Sequence, residues 1–255
     1  SSHLLKDPVD FGIRRATSTD ETDRIYICNG TDGSMVVYSI LASQDVIAPS
    51  KFDTDGEFIN VAVEIDEAFV IVKRTVDGVA KYYLEKFDEN LTVDSALTGG
   101  AASSVNMTHL EGKEVSIIRD GVVEPVQTVP ASPYTITFES AATSSYQVGM
   151  NYTVEVKTMP AEPNLSSGSI QGLKKRILQV DAIVYETQNM SINGQLVAFR
   201  SYGEGVLDQA VGEYTGLKTV HGLLGYSQTG QITITQTAPL KMTVLGLEYR
   251  MSIGN

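Results

Sequence analysis

Three histidines, His3, His109 and His221, are the first residues to examine for chemistry. Imidazole is the side chain most used for proton transfer and metal binding near neutral pH. The three lie far apart, and none has a histidine or cysteine at ligand spacing, so no zinc site is expected. His109 stands beside Glu111 in HLEGKEVSIIRDGV (109–122). That stretch reads either as the edge of an active site or as the two ends of a buried strand. His221 precedes Ser227, which lies between glycines in GYSQTG (225–230). A nucleophilic serine of the G-x-S-x-G type needs a strand–turn–helix elbow, and this segment has neither the motif nor the helix. It reads as a loop.

Carboxylates come next. Asp53-Thr54-Asp55-Gly56-Glu57 resembles a calcium loop, yet an EF-hand requires a longer ligand ladder ending in a bidentate glutamate. The sequence leaves open whether Asp53, Asp55 and Glu57 bind an ion, and a solvated acidic turn is the plainer reading. Glu64, Asp66 and Glu67 cluster, as do Glu85, Asp88 and Glu89. Glycoside hydrolysis needs two carboxylates across a sugar-sized gap, which proximity in sequence does not supply. Lys174-Lys175-Arg176 is the only run of three cations. It could touch phosphate or the acidic residues of a neighbouring subunit, and the acidic chain favours the subunit. No phosphate-binding glycine motif is present. No catalytic, cofactor-binding or metal-binding residue is expected, and the chain is not read as an enzyme.

The elements that would position these residues are strands. Side-chain periodicity is two along most of the chain. Runs 24–29 and 34–41 flank Gly30–Gly33, runs 59–65 and 68–75 flank Asp66-Glu67, and 79–87 follows Asp77-Gly78. Such turns favour hairpins, because glycine and Asp-Gly accept positive φ at low cost. The small residues Thr98–Ser104 read as a flexible boundary. Beyond it, Asp120-Gly121 closes a hairpin on strand 114–119, with Val115 and Ile117 facing the core. Runs 134–138 and 146–158 are strands. Pro160, Pro163 and Ser166-Ser167-Gly168-Ser169 mark a loop. Residues 173–187 fit a long strand better than a helix, since β-branched residues dominate the second half. Asn193-Gly194 offers another hairpin, and 231–235 and 241–251 are strands. In Lys81–Phe87 the alternation puts Tyr82 on one face and Tyr83 on the other, so both faces are covered or one meets a partner. The expected fold is all-β, an antiparallel meander (1–97, propeller-like) followed by a sandwich or barrel-like platform (98–255).

Composition narrows the function. Hydrophobic residues make up 42% of 255, enough for a packed core. The formal charge of −12 repels nucleic-acid backbones, although an acidic wall tolerates DNA sliding past it. The lone cysteine, Cys28, lies in a strand-like run and reads as a small buried hydrophobe. No apolar run is long enough for a membrane helix.

Three phrases carry a family likeness: TDGEFINVAVEIDEAFVIVKRTVDGVAKYYLEKFDE (54–89), HLEGKEVSIIRDGVV (109–123), and VGMNYTVEVKTMPAE with GSIQGLKKRI (148–162 and 168–177). Together they resemble the tail nozzle proteins of tailed bacteriophages and prophages, the tail tubular protein B-like or stabilisation proteins. The likeness spans most of residues 20–180 and none of it falls on a catalytic residue. It implies a carboxy-terminal portion of a longer virion protein, made in the bacterial cytoplasm. The protein would form a ring, usually a hexamer, at the end of a short tail. Its partners would be copies of itself and the adaptor and fibre proteins, with DNA passing through the channel without tight binding and no cofactor. The competing readings are a carbohydrate-binding or carbohydrate-degrading β-protein of a tail or cell surface, and a single-stranded nucleic-acid binder, which the charge disfavours.

Overall fold

The computed structural model describes residues 2–19, 21–163, 168, 170–200, 209–222 and 225–254. Of the serine-rich loop, Ser166, Ser167 and Ser169 lie outside the described residues. Within them the chain is all-β, an assembly of antiparallel sheets with no closed barrel. It divides into two compact units. The first comprises Ser1–Ser95, Ser104–Glu114 and Gln127–Ile136, and the second Ala96–Ser103, Val115–Val126 and Thr137–Asn255. Among the described residues no helix is long and apolar enough to cross a membrane.

In the first unit, β1 (Pro8–Arg14), β2 (Asp23–Asn29), β3 (Met35–Leu41) and β4 (Val46–Phe52) form one sheet in sequence order. A second sheet is built from β5 (Glu57–Glu64), β6 (Glu67–Val76) and β7 (Val79–Lys86). Because successive strand side chains point to opposite faces, Tyr26, Cys28, Met35 and Val37 turn inward together. They meet Phe58, Val61, Ala68, Val70 and Val72 of the second sheet in one buried cluster. Each large side chain removed from water there contributes about 1.5–3 kcal/mol. Gly12 lets β1 lie close on β5, since a Cβ at that position would stand 3.1 Å from Val63 Cγ2. The Asp10 carboxylate accepts the backbone N–H of Val61 at 2.9 Å and ties the two sheets at the same place.

The turns follow their chemistry. Asp77-Gly78, Asp120-Gly121 and Asn193-Gly194 all take positive φ at both residues, the hairpin geometry that those pairs favour. The turn between β5 and β6 differs. Glu64 pairs with Glu67, so the turn residues are Ile65 and Asp66, and Ile65 sits at φ 57°.

Along the rest of the chain run β8 (Asp94–Gly99), β9 (Ala102–Asn106), β10 (Glu114–Arg119), β11 (Val122–Thr128), β12 (Thr135–Ala142) and β13 (Tyr146–Met150). They are followed by β14 (Val154–Lys157), β15 (Lys174–Thr187), β16 (Ser191–Ile192), β17 (Gln195–Leu196), β18 (Tyr214–His221), β19 (Thr233–Gln236) and β20 (Val244–Gly254). Sheet orders are β11-β10-β13-β8, β12-β9, β14-β19-β16-β17 and β18-β15-β20. In the second unit the 14-residue β15 is the central strand of its sheet. Val180, Ala182 and Val184 alternate inward from it onto Met190, Ile192 and Ile234.

Two expectations need correction. Thr98–Ser104 lies where the chain crosses between the two units, at 95/96 and 103/104, but it is not a flexible loop: Thr98 and Gly99 belong to β8 and Ala102–Ser104 to β9, leaving only Gly100-Ala101 between them. Residues 146–158 are not one strand, because the ladder breaks at Asn151–Thr153 and the chain changes sheets, β13 pairing with β10 and β14 with β19.

Candidate functional site

His109 lies in a 3-10 turn, Thr108–Leu110, anchored by the buried side chain of Leu110. Its Nε2 is 3.0 Å from the Ser95 carbonyl oxygen, and its ring stands edge-on to Tyr83. A carbonyl oxygen only accepts, so Nε2 carries the proton and donates it. This histidine ties a turn to a strand start. Glu111 follows it at the rim of an open groove of about 450 Å³, lined by Thr75, Asp77, Gly78, Gly112 and Lys113 among others. The groove brings Asp77 and Glu111 to one surface, but its one lysine is committed: Lys113 Nζ donates to Asp55 Oδ2 at 2.7 Å. None of the lining residues is aromatic, histidine, serine or cysteine. The groove thus offers two carboxylates, Asp77 and Glu111, and the Thr75 hydroxyl, but no ring on which a sugar could stack.

Behind the groove is the most connected polar group in the first unit, Arg74. The strand pattern places it inward with Val70, Val72 and Val76, and its side chain is fully buried. A guanidinium has five N–H donors, and these meet partners on two further strands and a turn. Nε and Nη2 form a two-pronged contact with Glu85 at 3.0 and 2.8 Å. Nη1 donates to Thr54 Oγ1 at 2.5 Å and to the Asp55 carbonyl at 2.8 Å. Nη2 also reaches Asp94 Oδ1 at 3.2 Å. Thr54 passes its own proton on to Asp94 at 2.6 Å, and Ser95 donates to Glu85 at 3.0 Å. Burial opposes the charge on Arg74, but the hydrogen bonds and charges of Glu85 and Asp94 outweigh it, and the pKa is raised. The arrangement is a closed, satisfied network that holds β6, β7 and the start of β8 together. It has no spare donor for a substrate.

Most of the remaining carboxylate candidates have local partners. Asp53 pairs with Lys51 at 2.8 Å, Asp55 with Lys113 at 2.7 Å and Glu57 with Lys73 at 3.0 Å, three different lysines. Among the described residues no three His, Cys, Asp or Glu side chains converge as a metal site. Gly56 gives that turn its shape, with φ 149° and room for no Cβ, which would stand 2.4 Å from the Lys73 carbonyl oxygen. Glu85 belongs to the Arg74 network, Glu89 pairs with Arg24 at 2.5 Å, and Asp88 accepts the N–H of Asn90 at 2.9 Å. Glu67 pairs with Lys86. Ser227 Oγ accepts the backbone N–H of Gly230 at 2.8 Å, the role of a loop cap. Cys28 is fully buried, and burial, with help from the nearby Asp10 charge, pushes its thiol up to about 11. A thiol held protonated is a poor nucleophile.

The basic run does not act as one patch. The pleat of β15 turns Lys174 and Arg176 one way and Lys175 the other. Lys175 is 2% exposed, and its Nζ donates to the Gln228 carbonyl at 2.7 Å. Its backbone bridges to Ser227. Lys174 alone of the three is exposed, while Arg176 is half-buried with its guanidinium 6.0 Å from the centre of the Tyr226 ring.

Two further polar groups carry no recognised motif. Arg74 had a signal, a charged residue in phase with three inward valines. Asp120 had none beyond its Asp-Gly turn. Its carboxylate accepts the N–H groups of Thr143, Ser144 and Ser145 and the hydroxyls of Thr143 and Ser144, at 2.7–3.0 Å. The backbone donors of Ser145 and Thr143 are the largest cause of a pKa well below the usual carboxylate range.

What packing leaves unexplained is apolar. Phe11 (65% exposed), Ile13 and Ile47 (68%) stand in solvent on the outer side of the β1–β4 sheet. Tyr82 (64%), Leu84 (73%) and Ile71 do so on the outer side of the β5–β7 sheet. Antiparallel sheets that face water ordinarily alternate apolar-in and polar-out, and contiguous exposed apolar surface marks interaction sites. No family model matches the chain. No curated protein matches it either.

Proposed function

We propose that the chain is a structural subunit of a phage or prophage tail, a ring-forming nozzle protein that works by packing against copies of itself. The observation that carries this reading is the pair of apolar sheet faces open to solvent, set against an Arg74 network whose donors are all matched within its own unit. An enzyme keeps at least one such group free to meet a substrate. An assembly subunit instead keeps apolar surface free to meet a neighbour. The phrases at 54–89, 109–123 and 148–177 that resemble tail nozzle proteins supply the biological setting, and the all-β architecture agrees with it. A net charge of −12 suits a channel wall along which DNA slides without sticking. The adaptor and fibre proteins of a tail are the further partners that the reading implies.

Negative-stain micrographs of the purified 255-residue chain test it, with rings of uniform diameter expected. Uniformly small single particles at every concentration would oppose it. Release of reducing sugar ends from a bacterial polysaccharide would favour the carbohydrate reading instead.

A further inference from the structure

The outer faces of the two sheets in the first unit lie on opposite sides of one sandwich, since the inner faces share a core. Cross-strand register sets the exposed residues of the first on one face, around Val36, which stands opposite Ile27 and is itself fully buried. Phe11 stands opposite Ile27, and Ile13 opposite Ile25, which in turn faces Tyr38. Ile47 extends the same face on β4. The second is a smaller ridge in which Ile71 stands opposite Leu84, and Lys73 opposite Tyr82.

We propose that these two faces dock on each other, the β1–β4 face of one copy against the β5–β7 face of the next. The proposal rests on the assembly reading above and names the surface that performs it. Three features argue for a second copy as the occupant. The first is area: large side chains with these exposures offer roughly 500 Å² of apolar surface on the first face. A standard interface takes about 800 Å² from each partner, a little over half of it apolar. The second is charge. Two copies at −12 repel, so contact is cheapest where ions are already neutralised. Lys51 is paired with Asp53 on one face, and on the other Lys73 is paired with Glu57 and Lys86 with Glu67. The third is geometry. Two different patches on opposite sides of one body make a head-to-tail contact, which closes into a ring where the rotation between copies closes and runs on as a filament where it does not. The edge of β4 is not an alternative route, because Pro49 in mid-strand removes a donor from the row an added strand would need.

The test uses the full chain and two double variants at exposed positions, Phe11→Asp with Ile47→Asp, and Tyr82→Asp with Leu84→Asp. Circular dichroism melts matching the unaltered chain show that each variant is folded. The masses expected by sedimentation are a multimer for the unaltered chain and a monomer of 27.6 kDa for each variant alone. Mixing the two variants should give a species of twice the monomer mass and no larger, because only one intact pair of faces remains. If both variants still form the multimer, the proposed faces are wrong while the assembly reading stands. If only one variant becomes monomeric, or the mixture stays monomeric, the head-to-tail pairing is wrong. An unaltered chain that is monomeric throughout overturns both.

Discussion

Replacing Arg74 by methionine removes the cation from the buried network and keeps most of its volume. The substitution strips Glu85 and Asp94 of their cation and the Asp55 carbonyl of its donor, leaving Glu85 only the Ser95 hydroxyl and Asp94 only the Thr54 hydroxyl. Breaking a buried ion pair by deleting one partner costs about 3–5 kcal/mol. Glu85 and Asp94 are 19% and 27% exposed, so water reaches both carboxylates once the guanidinium is gone. That places the expected loss near the lower end, about 3 kcal/mol, or roughly a hundredfold in the folding constant. Out of a total stability of about 5–15 kcal/mol, such a loss is readily measured. Urea unfolding should show a lower midpoint with an unchanged slope, since the surface exposed on unfolding is the same. Adding Glu85→Gln to Arg74→Met should return about 1 kcal/mol, because one of the two orphaned carboxylates is then neutral. A loss under about 1 kcal/mol, or one indifferent to the state of Glu85, would refute the view that this network holds the first unit together.

Three further outcomes follow from named contacts. The Asp120 pKa is depressed on folding, so its contribution is fully present above the unfolded value of about 4 and is lost as pH falls through the lower folded value; Asp120→Asn should flatten the acid limb of a stability-against-pH curve below about pH 4, and an unchanged limb would count against the five-bond clip. Ile65 is 82% exposed and sits at φ 57°; Ile65→Asn should therefore stabilise by about 0.5–1 kcal/mol in thermal melts, as a residue that tolerates the left-handed region replaces one that does not. His109→Ala should leave the fold intact and cost about 1–2 kcal/mol, one hydrogen bond and a half-buried ring contact, with denaturant titration as the measure and a loss above about 4 kcal/mol the result that would make the histidine a core residue.

Turn chemistry made much of the fold readable from sequence. Asp77-Gly78, Asp120-Gly121 and Asn193-Gly194 each join the strands that their flanking runs suggest. Residues 174–187 are a strand because β-branched residues at alternate positions fit a pleated surface better than a helix. Illegible segments share a physical cause: their side chains do not alternate in polarity. Every residue of β4 is exposed and Pro49 lies in its middle, so neither period nor propensity marks it as a strand. Strands β8 and β9 are built from small polar residues that read as a loop, and only pairing with β13 and β12 makes them strands. At the candidate site, sequence proximity misled in both directions. Lys174, Lys175 and Arg176 are adjacent but divided by the pleat, whereas Thr54, Arg74, Glu85 and Asp94 are scattered along the chain and meet in one network. The outer apolar faces were half-visible, in the question of what covers Tyr82.

The claim at the centre of this account is that neighbouring copies, not a small molecule, are what the chain binds. Sedimentation equilibrium of the unaltered protein over a hundredfold range of concentration asks this directly. The account predicts a mass that rises from that of one chain to a single defined multiple of it. A mass fixed at that of one chain up to the highest concentration would contradict it.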